Sequence, residues 1–369
     1  MRLQDAFWMR RALGLASRAL GRTSPNPAVG AVVVREGAEV GWGYHRAAGE
    51  PHAEVEALAR AGPLAAGATL YVNLEPCNHH GRTPPCTDAI LAAGVRRVVV
   101  AVEDPDARVR GKGVRRLEEA GVDVEVGVLE GEARRLNAAY IKHRTTGLPW
   151  VTAKWAMSLD GRLATRTGAS RWITGPEARE YVHRLRDQHD AVMVGVGTAV
   201  KDDPALTCRL PGGRDPLRVV VDSRLRLPPQ ARMLREGGSR VVVATTPAAD
   251  AARAEQLRGA GAEVWVCEPE GGRVSLRDLL GRLAGRGALS VLAEGGSALH
   301  GSLLEAGLVD RVVAFLGPLV VGGDGAPSPV GGAGVAELSR ALRLEHVVVR
   351  QFGQDVCVEG DVRGSLRED

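Results

Sequence analysis

His52-Ala53-Glu54, followed by Pro76-Cys77 and Pro85-Cys86, groups the residue types that hydrolysis of an amidine-like C–N bond needs. One neutral imidazole and two thiolates supply three donors for a zinc ion and leave one tetrahedral position for water. An open position is what separates a catalytic zinc from a structural one. Zinc lowers the pKa of such a water toward about 7. Glu54 can take up the water's proton and return it to the leaving ammonia, a shuttle worth about 10²–10⁴ in rate. Taken singly, His52 and Glu54 read as solvated first-turn residues, and Cys77 and Cys86 as inert core thiols. Together, with a proline before each Cys, they favour the metal reading.

Residues two apart point to opposite sides of a regular helix, so His52 and Glu54 must sit at a helix end. Pro51 suits a first-turn position, and Val55, Leu58 and Ala59 then form an apolar stripe ending near Gly62. Cys86 is expected just ahead of a short helix over residues 87–93, stopped by Gly94, where the helix dipole favours a thiolate. A strand over 68–74 delivers Pro76-Cys77 at its C-terminal end, the usual place for a site in an open α/β sheet. A helix over 4–20, strands at 28–34, 39–44, 95–102 and 122–128, and helices at 113–120 and 132–142 complete an α/β unit of five strands. Thr145-Thr146-Gly147-Leu148-Pro149 reads as a linker, which gives expected domains of residues 1–146 and 147–369.

A chain of 369 residues suggests two domains, each long enough for its own core. Apolar content of 44%, charged content of 25% and 47 Gly exclude a disordered chain and suit alternating strands and helices. Arg2, Asp5, Arg10, Arg11 and Arg18 interrupt the N-terminal segment, so neither a signal-peptide core nor a membrane span is expected, and the cytoplasm is the default location. Cys208, Cys267 and Cys357 are scattered, which argues against a disulfide framework, and they read as passive. The net charge of +4 is small and the basic residues are interspersed with acids, so nucleic-acid binding is not expected. Lysine occurs only at 112, 142, 154 and 201, so the many arginines reflect a composition bias and a surviving lysine is informative.

The second half alternates again, with strands at 150–157, 191–194, 217–221, 240–245, 263–267, 289–293 and 311–315 and a helix over 177–188. Segments 345–351 and 355–359 read as a closing antiparallel pair. No Gly-x-Gly-x-x-Gly follows an early strand, so a Rossmann fold is not expected. Instead, Glu294-Gly295-Gly296-Ser297 follows the strand at 289–293 and opens a helix over 298–306. Glycines there permit close approach, Ser297 can cap the helix, and backbone amides can cradle a pyrophosphate.

His-x-Glu with Pro-Cys and a second Cys resembles the signature of the cytidine-deaminase-like zinc fold. Ser24-Pro25-Asn26-Pro27 with Val29-Gly30-Ala31 and the insertion running from Asn78 to Pro85 between the cysteines, which common nucleobase deaminases lack, resemble the bifunctional pyrimidine deaminase/reductase family of riboflavin biosynthesis. So do Lys154 to Arg162, Ser170-Arg171-Trp172-Ile173-Thr174, Gly195-Val196-Gly197-Thr198 and Asp202 to Arg209, four motifs in the family's order. The loop from Asp104 to Gly113 resembles the family's glycine-bearing turn, with Asp106-Ala107 in place of the usual Asn-Pro.

The resemblance implies an N-terminal cytidine-deaminase-like α/β/α domain and a C-terminal dihydrofolate-reductase-like α/β domain. It implies zinc at His52, Cys77 and Cys86 with Glu54 as proton shuttle, and substrate contacts at Asn26, His45, His79 and Arg82. Arg82 offers a charged contact for a phosphorylated ribose, and Asn26 amide hydrogen bonds to a pyrimidine. In the second half it implies substrate contacts at Ser170, Leu206, Arg209 and Glu294. NADPH contacts fall at Ala156, Trp172, Thr198, Asp202, Ser223 and the run Gly296, Ser297, Ala298, Leu299, His300, Gly301 and Ser302. Opening the ribose to an imine before hydride transfer calls for an acid, and Lys154 and Asp202 are the candidates. The implied activity is hydrolytic deamination of 2,5-diamino-6-(5-phosphoribosylamino)pyrimidin-4-one, then NADPH-dependent reduction to 5-amino-6-(5-phosphoribitylamino)uracil, in a homodimer or higher homo-oligomer. A nucleobase or tRNA deaminase with an accessory domain calls for a basic, aromatic-bearing face, against 4% aromatics here. A nucleotide-sensing second half that regulates the deaminase calls for no chemistry at Lys154, Arg209 or Glu294.

Overall fold

The computed structural model describes residues 3–80, 84–106 and 109–366. The chain divides into two compact units, Met1–Gly147 and Leu148–Asp369.

In the first unit the strands are β1 (Gly30–Arg35), β2 (Ala38–Tyr44), β3 (Thr69–Val72), β4 (Arg97–Val100) and β5 (Asp123–Val126). They lie in the order β2-β1-β3-β4-β5, with β1 antiparallel to both neighbours and β3, β4 and β5 parallel. β1 and β4 are valine-rich and buried on both faces, as a sheet covered on two sides requires. The helices are α1 (Leu3–Ala16), α2 (Ala53–Ala61), α3 (Cys86–Ala92), α4 (Lys112–Glu119), α5 (Glu130–Leu136) and α6 (Ala138–Thr146). Ala57, Leu58, Leu70, Val72, Ile90 and Val98 pack together where α2 and α3 cover the sheet. A Cβ at Gly41 or Gly43 would strike the α2 backbone carbonyls of Ala57 and Ala53. Glycine at both positions therefore lets the start of α2 come down onto β2.

The single helix expected over 132–142 is two helices broken at Asn137. Asn137 is buried, and its amide accepts the Ala28 N–H (2.9 Å) and donates to the Ala28 carbonyl (3.0 Å). α6 then runs through Thr145 and Thr146, read from sequence as linker, and ends at Gly147 in the left-handed conformation (φ 71°).

The second unit holds β6 (Trp150–Ser158), β7 (Ala191–Gly195), β8 (Leu217–Val221), β9 (Val241–Thr245) and β10 (Ala262–Val266). A short hairpin of β11 (Pro269–Glu270) and β12 (Arg273–Val274) precedes β13 (Ser290–Ala293), β14 (Arg311–Gly317), β15 (Leu344–Phe352) and β16 (Asp355–Val362). Nine strands form one sheet in the order β10-β9-β8-β7-β13-β6-β14-β16-β15. It is parallel from β10 to β14 and antiparallel where β16 and β15 close it. α7 (Pro176–Gln188), α8 (Val196–Asp202), α9 (Arg232–Arg235), α10 (Ala251–Gly259), α11 (Leu276–Gly285) and α12 (Ser297–Glu305) connect the strands. Met193, Leu279, Leu283 and Val291 anchor one core cluster, and Val192, Val220, Leu227 and Leu257 another. β7 runs straight into α8, and the neighbouring β13 reaches α12 through Glu294-Gly295-Gly296, which brings two helix starts together at the C-terminal end of the parallel strands. Among the described residues, no helix is long and apolar enough to cross a membrane.

Candidate active site

His52 is the N-cap of α2 (φ −73°, ψ 157°) and Glu54 lies in its first turn, so both face one point from a helix end. Pro51 thus stands just outside the helix, not in its first turn. Cys77 follows β3 through Asn73 to Pro76, and Cys86 is itself the first residue of α3, one position later in the geometry than its sequence suggests. His52 Nδ1 lies 3.1 Å from Cys86 Sγ and 3.6 Å from Cys77 Sγ, and the three donor atoms are all within 4.8 Å of one another. Zinc bonds of about 2.0 Å to nitrogen and 2.3 Å to sulfur at tetrahedral angles separate such donors by about 3.5–3.8 Å. Donor set and spacing fit that ion.

Hydrogen bonding from Cys86, through its thiol and its amide N–H (3.4 Å), outweighs burial and, with His52 beside it, holds Cys77 at about 4. The same thiol contact, reinforced by burial and by Glu54, pushes Cys86 up. Glu54 is 3% exposed, and burial followed by the Cys77 charge raises its carboxyl above the ordinary range. A carboxyl raised in that way holds a proton more readily than an exposed one, which suits a group that takes up and returns a proton.

A cavity of about 560 Å³ opens over this trio, and Asn26, His45, His52, Glu54, Cys77 and His79 all line it. His79, not the adjacent His80, is the histidine of that pair that reaches the wall. His45 is buried, with Nδ1 3.1 Å from the Pro51 carbonyl and Nε2 3.0 Å from Asn26 Nδ2, so it sets the Asn26 amide against the turn that precedes α2. Arg82 lies outside the described residues. Asp104, Asp106, Tyr140 and Arg144 complete the far wall, where the Tyr140 hydroxyl donates to both Asp104 oxygens (3.1 and 3.2 Å).

Glu75, two residues before Cys77, was not singled out from sequence. Its buried carboxylate accepts four backbone N–H groups, from Asp104 (3.1 Å) and Gly111 (2.9 Å) on one oxygen and from Gly113 (2.8 Å) and Val114 (3.2 Å) on the other. It thereby caps α4 from outside the helix and ties the wall-forming loop to the strand end that carries Cys77. A Cβ at Gly113 would collide with the Pro76 carbonyl, so only glycine permits this approach. The available signal was an acid at the end of a buried strand, directly beside Pro-Cys.

In the second unit a buried charge cluster gathers at the end of β13. Arg186 of α7 grips Glu294 with Nε (2.6 Å) and Nη2 (2.9 Å), and Lys154 of β6 stands 3.9 Å away on the other side. Burial alone would raise Glu294, but the Arg186 and Lys154 charges override it and hold the carboxylate at about 2. Its contribution to stability is therefore present above the usual carboxylate range and is lost only as pH falls toward that value. Burial also lowers Lys154 from its ordinary range. Arg186 was not foreseen.

Asp202 belongs to a different set of contacts. It lies at the end of α8, where the Ser170 hydroxyl is 3.5 Å from Oδ1 and Arg171 donates to its carbonyl (2.5 Å). Trp172 is 65% exposed, with the Arg179 guanidinium 4.4 Å from its ring centroid. Thr198 of α8 adjoins Gly296, where a Cβ would sit 3.3 Å from its hydroxyl oxygen, and this makes the start of α12 a cradle that a side chain would narrow. Gly296 is the N-cap of α12 and Ser297 its first residue, so Ser297 does not cap the helix as expected. Ala298 is exposed and Ser302 half-buried, whereas Leu299, His300 and Gly301 are buried. His300 Nε2 lies 3.2 Å from the Ala293 carbonyl. The Ser223 hydroxyl already accepts the Val274 N–H (3.1 Å), and Ala156 lies in β6 opposite Phe315. Leu206 is 3% exposed with its side chain in the core, which leaves only its backbone for a ligand. Arg209 is exposed and rests on His183.

Residues 149–358 match the family model described as the RibD C-terminal domain, and residues 2–102 match the cytidine and deoxycytidylate deaminase zinc-binding region. The riboflavin biosynthesis protein RibD of Aquifex aeolicus is 44% identical across 96% of this chain and 97% of its own. The structure of Acinetobacter baumannii RibD matches with a TM-score of 0.87 at 39% identity, covering 97% of this chain and 99% of that one. The diaminohydroxyphosphoribosylaminopyrimidine deaminase/5-amino-6-(5-phosphoribosylamino)uracil reductase of Thermotoga maritima matches with a TM-score of 0.86 at 37% identity, with the same coverage of both chains.

Glu75→Gln would point an NH₂ at backbone N–H donors and is expected to loosen the loop by about 1–3 kcal/mol. Hydrogen–deuterium exchange checks this. Amides 109–114 should exchange faster while strands of the second unit are unchanged, and unaltered exchange at 109–114 would mean that other contacts hold the loop.

Proposed function

This chain belongs to the RibD family of riboflavin biosynthesis proteins, and we propose which of its residues perform each half of the family's chemistry. It is a bifunctional enzyme. It deaminates 2,5-diamino-6-(5-phosphoribosylamino)pyrimidin-4-one in a zinc-dependent step and reduces the ribosyl group with NADPH to give 5-amino-6-(5-phosphoribitylamino)uracil.

The observation that carries the first assignment is the convergence of His52, Cys77 and Cys86 beside the buried Glu54 at the floor of a substrate-sized cavity. Zinc held by three protein donors supplies enough Lewis acidity to make water a nucleophile near neutral pH. Glu54 takes the water's proton on a carboxylate oxygen and delivers it to the departing amine, and its raised carboxyl suits both transfers. Asn26, braced by His45, and His79 orient the pyrimidine, and Arg82 receives the phosphate.

For the second half, Thr198 and the start of α12 from Gly296 to Ser297 hold the NADPH phosphates, with Trp172 against a planar ring. NADPH supplies the hydride for C1′ of the opened sugar. Of the two acid candidates the surroundings favour Lys154 over Asp202: Glu294, 3.9 Å away, helps keep its buried amine protonated, and burial, which lowers it from the ordinary range, makes that ammonium a better proton donor than an exposed lysine. Asp202 then positions Ser170 and the cofactor. Arg209, exposed midway along the loop between α8 and β8, binds the substrate phosphate.

We place the chain in the cytoplasm, a reading supported by five cysteines none of which is paired in a disulfide. We also read it as a homodimer through β15, an edge strand whose Val347, Val348 and Val349 are exposed. Light scattering should give the mass of two chains, and the mass of one at assay concentration would refute the dimer.

Glu54→Gln is expected to lower ammonia release by at least about 10²-fold while pre-deaminated substrate still oxidises NADPH at the wild-type rate, and stripping zinc with a chelator should do the same. Lys154→Ala should slow single-turnover NADPH oxidation by about 10² or more and leave ammonia release intact. Loss of both signals in Glu54→Gln, or an unchanged rate in Lys154→Ala, would overturn the corresponding assignment.

A further inference from the structure

His183 and Arg186 lie one turn apart on α7, where residues three apart are neighbours on one face. Arg186 joins two elements, because its Nη1 donates to the Thr207 carbonyl (3.0 Å) while its other two nitrogens hold Glu294. His183, 9% exposed, engages the next part of the same loop. Its Nε2 is 3.1 Å from Arg209 Nε, its Nδ1 is 3.3 Å from the Arg209 amide nitrogen, and its carbonyl accepts the Cys208 thiol (3.5 Å).

We propose that His183 is the positioning residue for Arg209 in the reductase. Its neutral imidazole accepts the Arg209 Nε–H and so turns the two terminal guanidinium nitrogens toward the 5′-phosphate of the substrate. The inference rests on Arg209 as the phosphate contact.

A neutral imidazole offers one lone pair and one N–H. Two donors of Arg209 face the ring, and the charge-assisted one is both the stronger and the nearer, so it takes the Nε2 lone pair. His183 also meets the Thr207 carbonyl that Arg186 holds. An imidazolium would aim an N–H at Arg209 and stand between two guanidiniums. Burial, then the charges of Arg186 and Arg209, hold His183 down at about 4, which keeps Nε2 an acceptor across the working range of pH. Among the described residues the His183 ring is the one hydrogen-bonding partner of the Arg209 side chain. Anchored through Nε, the guanidinium keeps its Nη1/Nη2 edge open for a bidentate phosphate contact. An unanchored exposed arginine would have to be immobilised at the moment of binding, and that ordering cost weakens affinity.

The test uses the full-length enzyme with NADPH and pre-deaminated substrate, with and without its 5′-phosphate. His183→Ala should raise KM for the phosphorylated substrate by about tenfold with kcat changed less than about twofold. His183→Gln, whose Oε1 can accept the same N–H, should recover most of the loss. Turnover of the substrate lacking phosphate should be equal in wild type and His183→Ala, which a general packing defect would not allow. Arg209→Ala should raise KM for the phosphorylated substrate at least as much, and adding His183→Ala to it should change nothing further, since the two act through one contact. If Arg209→Ala raises KM and His183→Ala does not, or if the two effects add, the positioning role is wrong and Arg209 keeps its assignment. If His183→Ala lowers turnover of both substrates alike, the histidine is structural. If Arg209→Ala leaves KM unchanged, the phosphate reading fails and the role of His183 fails with it.

Discussion

Each unit of this enzyme is built around a buried carboxylate placed just past the end of a parallel strand. A carboxylate removed from water is tolerated only when its lone pairs are filled, because an uncompensated buried charge costs several kcal/mol. Glu75, after β3, meets that demand with four backbone N–H groups, and in doing so it draws the loop before α4 and the start of α4 onto the strand end that leads to Cys77. Glu294, after β13, meets it with two nitrogens of Arg186 and the nearby Lys154. The need to satisfy one charge thus assembles the rest of each site. The zinc donors and the far wall of the cavity hold their relation through Glu75. β6, α7 and the start of α12 hold theirs through Glu294.

The same contacts divide what pattern reading recovers from what it misses. Alternating valine-rich strands and helices were legible because burial on both faces leaves a local mark, and His52 could be put at a helix end because its spacing from Glu54 allows nothing else. Contacts between segments far apart leave no such mark. Glu75 acts across 29 to 39 residues, Arg186 reaches Glu294 across 108, and Asn137 breaks a helix to bind Ala28 across 109. Side-chain direction was hidden for the same reason. Leu206 and Leu299 stand in motifs tied to ligands, yet their side chains complete cores, so a contact at those positions falls to the backbone. Ser297 has the chemistry of a helix cap but stands one residue too late, behind Gly296. The cradle there depends on a missing Cβ and on Thr198, which arrives from α8.

The two halves apply the same elementary physics to different tasks. In the first, burial raises Glu54 above the ordinary carboxyl range, which favours a group that takes up and returns a proton. In the second, cationic neighbours override burial and keep Glu294 charged, so it can steady Lys154 and serve as a fixed anion. A phosphoribosyl-pyrimidine is common to both reactions, which gives one chain a chemical reason to hold them. The order of steps in the account is deamination first, because the reductase takes up the aminouracil.

The most direct measurement mixes the zinc-loaded enzyme with excess NADPH and a limiting amount of the diaminopyrimidinone ribosylamine phosphate, following ammonia and NADPH absorbance on the same sample. The account predicts that ammonia appears first and that NADPH is then consumed in equal amount. NADPH oxidation that runs ahead of ammonia release, or ammonia release with no NADPH consumed, would contradict it.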